Sequence, residues 1–225
     1  MPATSSKDRT HSPSPAATDE PREPGKPHAG ALDTAVPRRR RGPLLESAIL
    51  DAVIAELNRV GWADLTMEGV ALGAGTGKSA IYRRWPSKEA LVAAALRHAP
   101  PERIECPELG STRDEFVVLA LSLRTLMTSP YGVALRAVLE GCDAVSRGPF
   151  AELFTATVAE PAKRCARVIV RRSGHAAAHA DMKADMAVEA VLALLLYRPR
   201  FGTGPVPERE LRGLVEDLLL PVIGP

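Results

Sequence analysis

Apolar positions in this chain recur three and four residues apart along most of its length, and two-residue alternation is nowhere sustained. From Pro43 onward, Leu45, Ile49, Ala52, Val53, Leu57 and Val60 trace one face of a helix that Gly61 is placed to end. Pro43 suits a first helical turn, where its missing N–H would have no partner in any case. Thr66 stands where an N-cap belongs, and Val70, Ala71 and Ala74 make the inward face of a short second helix. Gly73 to Thr76 reads as a turn, Gly77 to Arg84 as a third helix, and Pro86 as a break. Ser87 caps a fourth helix with Glu89 near its start and Leu91, Ala94, Ala95 and His98 along it. Pro100, Pro101 and Pro107 mark a connection. Beyond it, helical patterns cover 111–128, 130–145, 148–173, 182–198 and 207–220. Pro161 predicts a bend in the third of these, and Pro199 a bend or an end in the fourth. The pattern predicts an all-α fold.

The third short helix puts Lys78, Ser79, Tyr82 and Arg83 outward and Ala80 and Ile81 inward. A small helix that is polar and basic on one face, propped by apolar neighbours, has the shape of an element that enters a DNA major groove. The helical wheel separates Tyr82 from Ile81 and groups it with Lys78, which favours contact with a phosphate or base edge. Trp85 is expected to pack this helix against the first one. The order of residues from Thr66 to Leu91 also resembles the DNA-binding domain of TetR-family transcriptional regulators. The points of similarity are Thr66, the pairs Val70-Ala71 and Ala74-Gly75, Ile81-Tyr82, Trp85, Lys88-Glu89 and Leu91.

That resemblance implies an N-terminal three-helix domain with a helix-turn-helix and a C-terminal helical domain that binds an effector and dimerises. The boundaries expected here are a tail over 1–41, the DNA-binding domain over 42–98 and the C-terminal domain over 99–225. Carried over from the family, Thr66, Tyr82 and Lys88 hold DNA phosphates, while Gly77, Lys78, Ser79 and Arg83 face base edges. The resemblance further implies a homodimer through the last two helices, about 182–198 and 207–220, on double-stranded DNA with two symmetric half-sites. Val191 to Leu196, apolar almost all round, suits a helix buried between a core and a partner. It also implies a small-molecule effector in a cavity of the C-terminal domain, for which Phe116, Leu123, Met127, Tyr131, Phe150 and Phe154 are lining candidates. The chain departs from the family pattern at Thr76-Gly77, where valine-serine is frequent, and at Gly69 inside the second helix.

Charge sharpens this picture. The formal net charge is +2, but residues 38–98 carry ten basic and six acidic side chains, an electrostatic bias toward DNA in the segment that bears the motif. Residues 1–41 contain seven prolines and almost no large apolar side chains, so the tail is expected to be disordered. It ends in Arg38, Arg39, Arg40 and Arg41. Such a run can be a solvated charge cluster, a targeting or processing signal, or a flexible arm reaching the minor groove or phosphates; its position against the first helix favours the arm.

Other chemistry finds little support. Gly77-Lys78-Ser79 suggests a phosphate-binding loop, but that loop needs glycine at residue 72, where this chain has Leu72, and a preceding strand. His175 and His179 have helical metal-ligand spacing without a third ligand nearby, and read as exposed histidines. Cys106, Cys142 and Cys165 form no CxxC and suggest no disulfide framework; with no apolar run long enough to span a bilayer, a cytoplasmic protein without a membrane partner is expected. No nucleophile-base-acid set or paired carboxylates appear, so neither an enzyme nor a cofactor is implied. The alternative from another class is a helical small-molecule carrier or enzyme whose N-terminal tripod is only structural.

Overall fold

The first four helices form because each has a sequence device at its start. In the computed structural model, which describes residues 42–174, 177–202 and 204–223, they are α1 (Pro43–Asp64), α2 (Met67–Gly73), α3 (Lys78–Tyr82) and α4 (Lys88–His98). Pro43 lies in the first turn of α1, the Thr66 hydroxyl accepts the Gly69 N–H at 3.1 Å, and Ser87 accepts the Ala90 N–H at 3.1 Å. Gly61 breaks α1 as its pattern foretold, with φ of 75°, yet the chain makes one further turn through Asp64. Arg38 to Arg41 and His175 lie outside the described residues, as does the side chain of His179.

Among the described residues seven helices follow: α5 (Thr112–Thr128), α6 (Pro130–Gly141), α7 (Ala144–Phe154), α8 (Glu160–Arg172), α9 (Ala177–Phe201), α10 (Glu208–Gly213) and α11 (Leu220–Ile223). Among the described residues there is no strand. Several expected limits move. The helix predicted over 130–145 ends at Gly141, because Asp143 accepts the Ser146 N–H at 2.8 Å and starts α7 four residues earlier than predicted. Pro161 falls in the first turn of α8, and the chain accommodates it by a wide π-type turn over Thr155–Ala159. Pro199 does not end α9; it sits inside the last turns, and the Gly202 N–H closes on the Arg198 carbonyl at 2.7 Å. A second wide turn, Leu214–Leu219, joins α10 to α11.

α1 packs on α2 and α4 on one side and on α6 on the other, so the first four helices and the C-terminal helices share a wall. Asn58 of α1 donates to the Pro130 carbonyl at 2.8 Å, and the Trp62 ring meets Phe150 edge-on at 5.7 Å. α8 and α9 run antiparallel with three ion pairs between them, Lys163–Glu189 (2.5 Å), Arg167–Asp185 (2.6 Å) and Arg171–Asp181. Partners at each end are four residues apart on both helices, the spacing that keeps them on one face.

Glu115 is the buried charged residue among those described. Its Oε1 accepts the N–H groups of Leu109 (2.8 Å) and Gly110 (3.1 Å), and Arg172 of α8 lies 3.5 Å away. Arg172 also donates to the Pro107 carbonyl at 3.1 Å. One carboxylate thus ties the connection after α4 to both α5 and α8. Glu115→Ala should lower stability by about 1–2 kcal/mol, since it removes a buried carboxylate that accepts two N–H groups and faces the Arg172 guanidinium. Urea unfolding that leaves the midpoint unmoved would remove Glu115 from this role.

Candidate nucleic-acid interface

Buried Ile81 and, just beyond the helix, buried Trp85 anchor α3; Ala80 is half-buried and the other side chains project outward. The turn before it closes through hydrogen bonds from Ala74 to Val70 and Thr76 to Ala71, both 2.9 Å, with Gly75 at φ 65°. That left-handed value favours glycine at this position. Gly77, at φ −95° and ψ 151°, is the N-cap residue of α3 and has no side chain to bond the first turn. Lys78, Ser79, Tyr82 and Arg83 are all exposed, with Tyr82 half open to solvent. Lys78 and Tyr82, like Ser79 and Arg83, are four residues apart and so neighbour one another on the helix surface. The structure therefore brings together the residues expected to face base edges, and Trp85 is buried as expected.

The residues expected at phosphates are less uniform. Thr66 is exposed at the start of α2, its hydroxyl already engaged as the cap. Lys88 has another employment: its ammonium donates to the Trp62 carbonyl and lies 4.4 Å from the centre of the Trp62 ring. Burial holds its pKa below the ordinary lysine value. Trp62, Phe150 and Lys88 thus form a stack from α7 through the end of α1 to the start of α4. Gly141 completes it, because a Cβ there would come within 2.8 Å of Trp62.

Charge in this head is divided differently from the count over 38–98. Residues 42–98 hold six basic and six acidic side chains, so the positive excess belongs entirely to the four arginines before α1. Arg59 pairs with Glu56 at 2.7 Å, Arg84 lies 3.8 Å from Glu46, and Lys78 pairs with Glu68 of α2. Glu68 holds the Lys78 ammonium above its usual pKa and is itself held below the usual carboxylate range. Neither Arg83 nor Arg97 has an ion-pair partner among the described residues. Glu68 was missed in sequence because it is ten residues from Lys78, across the turn, at no helical spacing.

Of the effector-lining candidates, Phe116, Leu123, Met127, Tyr131 and Phe150 are buried core residues and Phe154 is half-buried. Two open clefts lie along the 100–115 segment and α8, and none of the six lines either of them. Tyr131 bonds Thr157 at 3.2 Å through its hydroxyl, and burial raises its pKa. Leu72, where a phosphate-binding loop would need glycine, is an exposed helical residue of α2. No group of three metal-ligating side chains occurs among the described residues, and Cys106, Cys142 and Cys165 are free thiols.

Comparison with known proteins bears on this arrangement directly. Residues 49–95, which contain α2 to most of α4, match the family model described as bacterial regulatory proteins, tetR family. Residues 106–218 match the tetracyclin repressor-like C-terminal domain. The chain belongs to the TetR family. A DNA-binding transcriptional repressor TetR of Mycobacteroides abscessus is 28% identical over 196 residues, covering 82% of this chain and 97% of that protein. An uncharacterised HTH-type transcriptional regulator of Mycobacterium tuberculosis is 27% identical over 180 residues, covering 78% and 86%. The fold is similar to that of a TetR-family regulator from Rhodococcus sp., with a TM-score of 0.57 at 20% identity over 80% of this chain and 99% of that one. A TetR regulator from Agrobacterium tumefaciens gives 0.54 at 21% identity, covering 81% and 95%. This TetR-family chain is accordingly a helix-turn-helix DNA-binding transcriptional regulator, from a family of regulators rather than enzymes.

Glu68→Gln offers a test of the Lys78 pairing in this regulator. Freeing Lys78 and removing the carboxylate beside it should tighten binding severalfold. The slope of log affinity against log salt should steepen by about 0.9 for each phosphate newly neutralised. Fluorescence anisotropy of a labelled duplex across a salt series reads both, and unchanged affinity with an unchanged slope would mean that the Glu68 pairing does not hold Lys78 back from DNA.

Proposed function

We propose that the chain is a ligand-responsive repressor that binds a palindromic operator as a homodimer in the cytoplasm. The observation that carries the reading is the exposed face of α3, polar and basic, held out by buried Ile81 and Trp85. In this reading Thr66 and Tyr82 position the protein on phosphates, and Ser79 and Arg83 reach base edges with Lys78. Gly77 contributes close backbone approach rather than a side chain. Lys88 exchanges its Trp62 carbonyl for a phosphate, or acts through it by fixing the start of α4.

One helix of this length touches few base pairs, so two copies about one DNA turn apart, roughly 34–36 Å, are needed for useful selectivity. The surface that suits a second copy lies on the last helices. Met182, Met186, Tyr197 and Phe201 of α9 are exposed, as are Leu218 and Val222 of the following segment. Lys183 donates to the Ile223 carbonyl at 3.4 Å, which brings the two segments together. Exposed apolar groups at helical spacing on both make a face for a four-helix contact. The double variant Met186→Arg, Tyr197→Arg should be monomeric in sedimentation velocity and should lose operator affinity by more than tenfold. A variant that remains dimeric rules out this face.

The repressor of Mycobacteroides abscessus supports repression as the sign of control. An effector in the C-terminal helices would act by favouring one placement of α4, and its effect is bounded by its differential affinity for the two states. Selection of bound fragments from random duplexes tests the whole reading. Two inverted half-sites are expected; enrichment of no sequence at low salt would instead favour the carrier or enzyme alternative.

A further inference from the structure

The segment after α4 is not a plain connection. Pro100, Pro101, Arg103, Ile104 and Cys106 form one wall of a cleft of about 380 Å³ whose other wall is Thr157, Pro161, Arg164, Cys165 and Val168. The wide turn Thr155–Ala159 precedes Pro161 at its far edge. Such wide turns recur at functional sites because they displace side chains from the regular helical path. The volume falls within the range of small-molecule sites.

The lining has two chemically distinct parts. Arg103 and Arg164 are exposed and neither has an ion-pair partner among the described residues, whereas ten other arginines of the described chain do. Glu102 is the single carboxylate on the rim. Ile104, Pro161 and Val168 supply apolar surface beside them, and Val168 is an exposed valine on an otherwise ion-paired helix. Cys106 and Cys165 lie at the wall junction, where the Cys106 thiol points at the Cys165 carbonyl at 3.5 Å and burial pushes the Cys165 thiol far up. The Cys165 thiol is therefore neutral lining, and the Cys106 sulfur also accepts from Arg172 at 3.3 Å.

We propose that this cleft binds an amphipathic carboxylate of medium chain length, with the guanidinium groups of Arg103 and Arg164 on its headgroup and Ile104, Pro161 and Val168 along its tail. Guanidinium forks match carboxylate oxygens two by two, which a neutral head cannot exploit. The site differs from the buried aromatic and aliphatic residues Phe116, Leu123, Met127, Tyr131, Phe150 and Phe154. It rests on the effector-control reading in one respect: Pro100 and Pro101 join the cleft wall to the end of α4, and their fixed φ angles make that joint stiff. A ligand that draws residues 103–106 toward α8 pulls on α4.

Titration calorimetry of the full chain with decanoate, decanol and acetate tests the site. Decanoate should bind at least tenfold tighter than either of the others, and Arg103→Gln with Arg164→Gln should weaken it at least tenfold. Arg97→Gln, exposed but outside the cleft, should leave it unchanged. Equal binding of decanol, equal binding of acetate, or a double variant with wild-type affinity and an unshifted thermal melt each overturns the proposal. Operator affinity at saturating decanoate is the second readout, and it should fall. Decanoate binding that depends on both arginines yet leaves operator affinity untouched establishes the site and overturns its role as the effector site.

Discussion

Alanine in place of Arg38, Arg39, Arg40 and Arg41 together should cost the regulator more DNA affinity than any single change in α3. The reason is the charge balance of the head itself. Residues 42–98 carry equal numbers of basic and acidic groups, and Arg59, Lys78 and Arg84 are already turned toward carboxylates. Long-range attraction to phosphate must come from the run before α1 if it comes from this end of the protein. Should all four arginines neutralise phosphates, the salt slope would fall by about 0.9 for each, and the wild-type advantage would shrink about a hundredfold between 50 and 200 mM salt. Sequence preference should survive, because arm contacts to phosphate carry no base information. Parallel salt series on one operator and one unrelated duplex make the measurement. Superimposable slopes for the two proteins would leave the arginines as a solvated run or a signal.

Gly132→Ala should be the most destabilising single substitution of small size in the C-terminal helices. A Cβ at residue 132 would stand 2.2 Å from the Leu126 carbonyl oxygen and 2.6 Å from the Met127 Cα, both backbone atoms that cannot swing aside. The position is fixed by Ser129, whose hydroxyl donates to the Leu126 carbonyl at 2.7 Å and accepts the Gly132 N–H at 3.2 Å. α5 and α6 therefore meet at a corner too tight for a methyl group. Overpacking of this kind costs about 3 kcal/mol or more when backbone must move. Gly213→Ala is the matched control, since the nearest atom to its Cβ would be Asp217 Oδ2 at 3.6 Å. It should gain about 0.5–1 kcal/mol from helix propensity. Urea unfolding of both variants should move the midpoint in opposite directions, and loss of stability in both would mean that the corner is not what constrains Gly132.

Gly69 shows how such constraints hide in a sequence. As a glycine inside α2 it reads only as a cost to helix formation. In the structure a Cβ there would come within 2.4 Å of Glu56 Oε1, the end of a flexible α1 side chain that would have to turn away from its pairing with Arg59. The pattern of apolar spacing cannot register a neighbour that arrives from another helix. The α8–α9 ion pairs are the opposite case. Lys163, Arg167 and Arg171, then Asp181, Asp185 and Glu189, are spaced by four in the chain, and the antiparallel pairing was open to reading had the charges been treated like the apolar stripe.

Helix identity, the tight turn between α2 and α3, and the outward set Lys78, Ser79, Tyr82 and Arg83 were all legible from the chain alone. These rest on local physics: capping hydroxyls, glycine at positive φ and the 3.6-residue repeat act within a few residues. What needed three-dimensional placement is which of those outward groups is free to meet DNA. Lys78 faces Glu68, Lys88 faces Trp62, and Phe150 packs edge-on against that same indole. Pairings of this sort depend on how separate helices cross, and crossing is settled by packing volume and polar satisfaction summed over the whole body, quantities that no short window of residues contains.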